Sequence, residues 1–230
     1  MTNPYFRQLP SFEYVNRLPD AKIGDYIEVK NLFKRGTLRP DIFQEVSFFE
    51  KYKIIGDDRP DNVAFEIYDD STLDWVVLLS NNIVNIQTEW PLTQISFDTY
   101  LREKYGVGLT TEEEVYNKIY DTHHYETAEI KNSQGVVIVP GGLEVPQDYS
   151  VSYYDSFIES QVDTVNITVP VTNYEYEEKL ENDKRNIYVL KPRYLNIVLD
   201  DMEEMMAYKE GATLFVSDTL KRADNIRLYS

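Results

Sequence analysis

The sequence predicts an α+β fold: a central β-α-α-β module, preceded by an extended N-terminal arm and followed by a β-rich insertion and a C-terminal helix–strand–helix segment. Three observations predict it. A short apolar strand at Tyr52–Ile55 precedes two segments of helical periodicity between Pro60 and Leu79. From about residue 122 to 170 apolar residues recur with a period of two, the signature of half-buried strands. Beyond that the helical period returns on both sides of one short strand. The expected divisions are 1–50 for the arm, 51–105 for the module and a following helix, 106–170 for the β-rich segment, and 171–230 for the C-terminal segment and tail.

In the first 50 residues Pro4, Pro10 and Pro19 interrupt the chain, and Tyr26–Phe33 is a short segment. Its few apolar residues make a thin core, so this stretch is expected to pack on something else. Apolar residues crowd at Ile42-Phe43 and Val46–Phe49, and a strand follows that Gly56 ends. Asp57-Asp58-Arg59-Pro60 then opens a helix, with an acidic N-cap and a proline in the first turn. Val63, Ala64, Ile67 and Tyr68 share one face of it. Asp69-Asp70-Ser71 breaks the helix and supplies a new cap. Leu73–Leu79 is apolar almost all round, as a buried helix is. Asn81-Asn82 stops it, and Ile83–Ile86 is expected to return as the closing strand. This centre is expected to be the one compact unit.

Ser96–Tyr105 predicts a helix with Phe97, Tyr100 and Leu101 on one face and Gly106 at its end. Glu112–Ile119 adds a helical turn or two. Val136–Val139, Pro140-Gly141-Gly142 and Leu143–Pro146 read as strand, turn and strand, with prolines that suggest edge positions. Val151, Tyr153, Val165, Ile167 and Val169 keep the period of two, and Pro170 is expected to end it. Thr172-Asn173 caps a Glu- and Lys-rich helix running to Lys184. Asn186–Leu190 is a strand closed by Lys191-Pro192. Leu195, Val198, Leu199, Met202, Met205 and Met206 follow at helical spacing, with Gly211 as the stop. The tail holds one apolar run, Leu214–Val216, and then charged residues.

Composition narrows the function. A net charge of -17 disfavours phosphate-backbone and anionic-membrane binding, which need clustered Lys and Arg. The acidic surface suits solubility, or a basic protein partner. No run approaches the roughly 20 apolar residues of a membrane helix, and Met1–Arg7 lacks the pattern of a secretory signal. With no cysteine, disulfides, thiolate catalysis and Cys-based zinc sites are excluded. Tyrosine is the unusual count, 19 against 10 Phe and 2 Trp, and tyrosine is enriched at protein interfaces.

Candidate chemistry is sparse, and no catalytic, cofactor-binding or metal residue is assigned. His123-His124 is the one histidine pair, and neighbours on a regular strand point to opposite sides, which prevents joint chelation. The pairs Asp57-Asp58, Asp69-Asp70, Asp200-Asp201 and Glu203-Glu204 are adjacent in sequence, whereas acid/base work needs carboxylates opposed across a cleft. No nucleophile elbow or phosphate loop is present. The Met202, Met205 and Met206 stripe reads as core before it reads as an adaptable binding face. The Glu-rich helix reads as a solvated face, or as half of a partly buried helix pair.

Two resemblances follow from these residues. Tyr52–Asp57, the helix Val63–Tyr68, and Leu73, Val77 and Asn81 resemble the LysM module, a strand–helix–helix–strand unit. The chain departs from it by Asp69 in place of a glycine and by one residue inserted after Gly56. Over about half the chain, Val29–Arg35, Arg59-Pro60-Asp61, Ile67-Tyr68, Trp75–Leu79 with Asn81, Leu180-Glu181-Asn182 and Ile187–Met206 resemble, in order, the small baseplate wedge subunit of T-even-like contractile-tailed phages. Asp57–Pro60 with Glu89–Leu92 is similar to cyanophage-type versions. The resemblance implies a virion protein of the tail baseplate, made in the host cytoplasm, without catalytic activity or cofactor. It implies contacts with the wedge core-bundle subunits and with neighbouring wedges, six copies to a ring around the hub. LysM modules elsewhere bind N-acetylglucosamine polymers, so a peptidoglycan-binding protein is the alternative; the single copy of the module and the acidic charge weigh against it. An envelope hydrolase has no catalytic constellation behind it.

Overall fold

The computed structural model describes residues 4–22, 24–211 and 214–222; the charged end of the tail, 223–230, and Met1–Asn3 of the N-terminal stretch lie outside them. The chain opens with α1 (Tyr5–Gln8), β1 (Ser11–Val15), β2 (Tyr26–Lys30), α2 (Pro40–Gln44), β3 (Phe49–Lys53), α3 (Pro60–Tyr68), α4 (Asp74–Ser80) and α5 (Ile86–Glu89). It continues with α6 (Gln94–Tyr105), α7 (Glu112–Ile119), β4 (Thr122–Thr127), β5 (Ile130–Lys131), β6 (Val137–Val139), β7 (Glu144–Val145), β8 (Val151–Asp155), β9 (Ser160–Thr164), β10 (Thr168–Thr172) and α8 (Asn173–Lys184). It closes with β11 (Asn186–Leu190), α9 (Leu195–Met206), β12 (Phe215–Ser217) and β13 (Leu220–Arg222). The architecture is α+β, as the sequence predicts. It forms two compact units rather than one: Met1–Trp90 with Arg185–Ser230, and Pro91–Lys184.

The first unit is built on β3, α3, α4 and β11. Pro60 sits in the first turn of α3, as its fixed φ favours, but Arg59 rather than an aspartate holds the N-cap position. Asp69 ends the helix in the left-handed conformation, and Asp70 caps the next turn by accepting from the Thr72 backbone N–H at 2.9 Å. Val63, Ala64, Val76 and Val77 are fully buried, so the face read from the spacing is the core face. The closing strand is a correction. Residues 83–85 form no strand and α5 occupies Ile86–Glu89, while β11 pairs antiparallel with β3, Leu190 opposite Phe49 and Asn186 opposite Lys53. The apolar run Ile187–Leu190, which buries three side chains, pairs with β3 in place of Ile83–Ile86. Asn81 locks the join: its amide donates to the Tyr188 carbonyl at 2.8 Å and accepts from the Tyr188 N–H at 2.8 Å.

The N-terminal 50 residues supply Leu9, Leu38, Ile42 and Phe49 to this core. They also form half of a four-stranded sheet in the order β12-β13-β1-β2, in which β13 runs parallel to β1. Gly36 is required by packing, because a Cβ there would overlap the buried Met202 thioether. Met202 and Met206 are buried in the same core, so the methionine stripe is interior. Helix α9 stops at Met206 with extended Ala207, ahead of Gly211.

The second unit has a small apolar core of Phe97, Leu101 and Ile119. Thr93 caps α6 and a reciprocal Thr111–Glu114 capping box starts α7. Its main sheet has the order β10-β4-β7. Pro170 does not end β10; it lies within it opposite Tyr125, on an edge strand that tolerates a missing N–H. The Pro140–Gly142 turn is present, but β6 pairs with β5 and β7 with β4. Thr127 pins that turn by donating from Oγ1 to the Pro140 carbonyl at 2.7 Å. Strands β8 and β9 pair with each other alone among the described residues.

The origin of the closing strand is testable. Leu190→Ala, at a fully buried position, should destabilise the first unit by about 2–5 kcal/mol. Ile86→Ala, on a half-exposed residue, should change it by less than about 0.5 kcal/mol. Denaturant titration followed by tryptophan fluorescence reads this unit alone, because Trp75 and Trp90 both lie in its core.

Candidate functional site

None of the adjacent carboxylate pairs becomes an opposed pair. Asp57 and Asp58 lie in the turn before α3, where the Asp58 carbonyl accepts from Trp90 Nε1 at 2.9 Å. Asp200 and Glu203 stand exposed on α9, and Asp201 reaches Arg39 at 3.4 Å. Among the described residues no group of three or more His, Asp or Glu is placed to hold a metal ion.

The histidines depart from the sequence expectation. On β4 their Nδ1 atoms lie 2.9 Å apart instead of on opposite faces. The pairing between β4 and β10 slips here: His124 faces Val171 and Thr122 faces Thr172, leaving His123 outside the register. Such a bulge re-aims side chains that strict alternation would separate. His123 stacks on Tyr176 at 4.0 Å, and His124 Nε2 lies 3.3 Å from Glu126 Oε1. Lys179 also binds Glu126, and together with His124 it holds that carboxyl below its ordinary value.

Helix α8 follows the second of its two sequence readings, a helix with part of its surface buried, and what the sequence did not reveal is that the buried row is polar. Asn173, Glu177 and Glu181 are buried on it at a spacing of four. Glu177 accepts from Lys104 Nζ at 2.5 Å, from the Tyr105 hydroxyl at 2.9 Å and from the Tyr100 hydroxyl at 3.1 Å, so three groups of α6 converge on one carboxylate. Burial alone would raise its pKa, but the bonds from Lys104 and Tyr105 outweigh that and hold it low. Burial and the same carboxylate push Tyr105 up to about 12. Glu181 accepts from the Leu92 N–H at 2.9 Å and from Lys184, and Asn173 donates to the Lys118 carbonyl. The available signal was the i, i+4, i+8 row of Asn and Glu on a helix with no apolar face.

The β8–β9 hairpin carries the other notable group. Asp155 is buried; its Oδ2 accepts from Ser133 N–H at 3.0 Å and Oγ at 2.6 Å, and its Oδ1 accepts from Phe157 N–H at 2.9 Å. These bonds, the Ser133 hydroxyl first, hold the carboxyl below its usual range. They also fix a turn that presents Phe157 and Ile158 to solvent.

Most buried polar side chains are satisfied within each unit, the indole N–H of Trp75 being an exception, and large apolar side chains stand on ordered turns, as in structural, partner-binding proteins. A model of the phage family described as base plate wedge protein 53 matches residues 6–205, and the chain belongs to that family. It is thus a structural protein of the tail baseplate of a phage virion, associating with other baseplate components. No curated protein matches the chain. Among the described residues no helix is long and apolar enough to cross a membrane.

The Glu177 cluster predicts a pH dependence. Because the folded pKa is depressed, its stabilisation is complete above the unfolded value of about 4.3 and fades as pH falls through the folded value. Glu177→Ala should cost about 1–3 kcal/mol at neutral pH, short of the cost of a stranded buried charge because Lys104 is 43% exposed and can rehydrate. Hydrogen exchange of residues 94–105 should quicken in the variant at pH 7, and the difference from the parent chain should shrink as the pH is lowered toward 3.

Proposed function

We propose that the chain joins the baseplate wedge through its core-bundle subunits and holds neighbouring wedges together around the hub, six copies to a ring, with no catalytic step. The observation that carries this reading is the tip of the β8–β9 hairpin. Phe157 is 70% exposed and Ile158 51% exposed on a turn that Asp155 holds in place. A two-stranded hairpin is marginal on its own, so apolar residues at its tip contribute nothing to the fold. Buried by a partner, each would contribute about 1.5–3 kcal/mol, and the ordered turn lowers the entropy lost on docking.

The LysM-like centre serves here as scaffold, with the strand–helix–helix–strand order completed by β11. Its helices pack inward on the core, which suits a frame that presents other segments.

Co-expression of the full chain with core-bundle wedge proteins, followed by size-exclusion chromatography, tests the proposal. A complex should form, and Phe157→Asp with Ile158→Asp should weaken it at least about tenfold while leaving the circular dichroism unchanged. Absence of co-elution at every salt concentration, or equal co-elution of the double variant, counts against it. Retention on insoluble peptidoglycan would instead favour the glycan-binding reading.

A further inference from the structure

The histidine pair on β4 has the geometry of a chelate. The bulge at His123 brings two imidazoles together edge to face, ring planes 87° apart, with the Nδ1 atoms 2.9 Å from each other. Tyr176 braces both, stacked flat on His123 at 4.0 Å and edge-on to His124 at 5.9 Å. Glu126 accepts from His124 Nε2, and Lys179 anchors Glu126 from the other side at 3.1 Å. A metal-ligating histidine commonly donates its second ring N–H to a carboxylate, which fixes the tautomer and raises the basicity of the ligating nitrogen. A His124 Nε2–H donating to Glu126 would leave the Nδ1 lone pair of His124 free to bind.

We propose that His123 and His124 bind one late divalent transition-metal ion through both Nδ1 atoms, with Cu²⁺ preferred over Ni²⁺ and Zn²⁺. Imidazole suits these ions, and Cu²⁺ stands at the top of their affinity order. The 2.9 Å separation is an N–H···N hydrogen-bond distance in the metal-free pair, short enough for both nitrogens to reach one ion. No third His, Asp or Glu converges among the described residues, so water or a donor from a neighbouring protein completes the sphere. Without metal, one Nδ1–H donates to the other Nδ1. On binding, a proton on His123 Nδ1 must leave that nitrogen, for Nε2 of the same ring or for solvent. The site is independent of the assembly role proposed above.

Titration of the tag-free full chain with copper(II) sulfate, read by calorimetry and electron paramagnetic resonance, tests this. The expected result is one Cu²⁺ per chain with hyperfine splitting from two imidazole nitrogens. His123→Gln and His124→Gln should each weaken binding at least about tenfold and reduce the nitrogen count by one. Glu126→Ala should weaken binding about tenfold with both nitrogens retained. Backbone amide spectra of each variant confirm the fold, and in the parent chain Cu²⁺ should broaden the signals around 122–126 and 176 first. Binding unchanged in both histidine variants, the same nitrogen count in parent and variants, or broadening centred elsewhere overturns the assignment.

Discussion

The pairing of β3 with β11 is the constraint on which the first unit depends. It joins Phe49–Lys53 to Asn186–Leu190 across more than half the chain. The apolar core needs both strands: Val189 and Leu190 are buried in it, the Tyr68 hydroxyl donates to the Leu190 carbonyl at 2.8 Å, and Asn81 grips Tyr188. A closure of such length carries an entropic cost that rises by about 0.6 kcal/mol with each doubling of the loop. The second unit reduces that cost through its own fold. Leu92 near its start donates to Glu181 near its end at 2.9 Å. With its ends held together, the folded insertion acts as a short connection.

That role explains why the second unit relies on buried polar contacts. Its buried apolar cluster is small, three side chains against the eighteen of the first unit. A core of that size leaves little margin against the entropy of ordering the segment. Glu177 and Glu181, each bound by several donors, fix the position of α8 against α6 and the start of the unit. Unlike apolar contacts, such groups tolerate a single arrangement, since any other leaves a buried carboxylate unpaired. The polar face of α8 therefore sets register where the apolar core is too small to do so.

Local signals were legible in the sequence, and long-range pairings were not. Pro60 at the start of α3, the left-handed Asp69, the buried run Trp75–Val77 and the strand at Asn186–Leu190 all follow from residue type and spacing. The closing strand was sought at Ile83–Ile86 because a module read along the chain is expected to finish where it began. Periodicity carries no information about partners, and β3 pairs instead with an apolar strand 100 residues further on. The His123 bulge was hidden for a related reason. Alternation is a property of regular strands, and the register slip falls opposite Val171 and Thr172 at the end of β10, well away from the histidines in sequence. The buried glutamates were hidden by their charge: a Glu-rich helix reads as solvated unless the Lys and Tyr that pair with it are already known to lie opposite.

The surface completes the argument. A net charge of -17 keeps such a chain dispersed, yet Phe33, Phe157, Ile95 and Val107 stand exposed on turns and helix surfaces. Scattered apolar residues are ordinary on a folded protein. The hairpin tip differs because a buried carboxylate, Asp155, orders it through the Phe157 N–H and ties it to Ser133 in the loop between β5 and β6. Polar burial is costly unless fully satisfied, and the Asp155 bonds satisfy it while leaving Phe157 and Ile158 exposed at the tip. The acidic surface disfavours indiscriminate association among copies, while the few rigid apolar points provide contacts for a complementary partner.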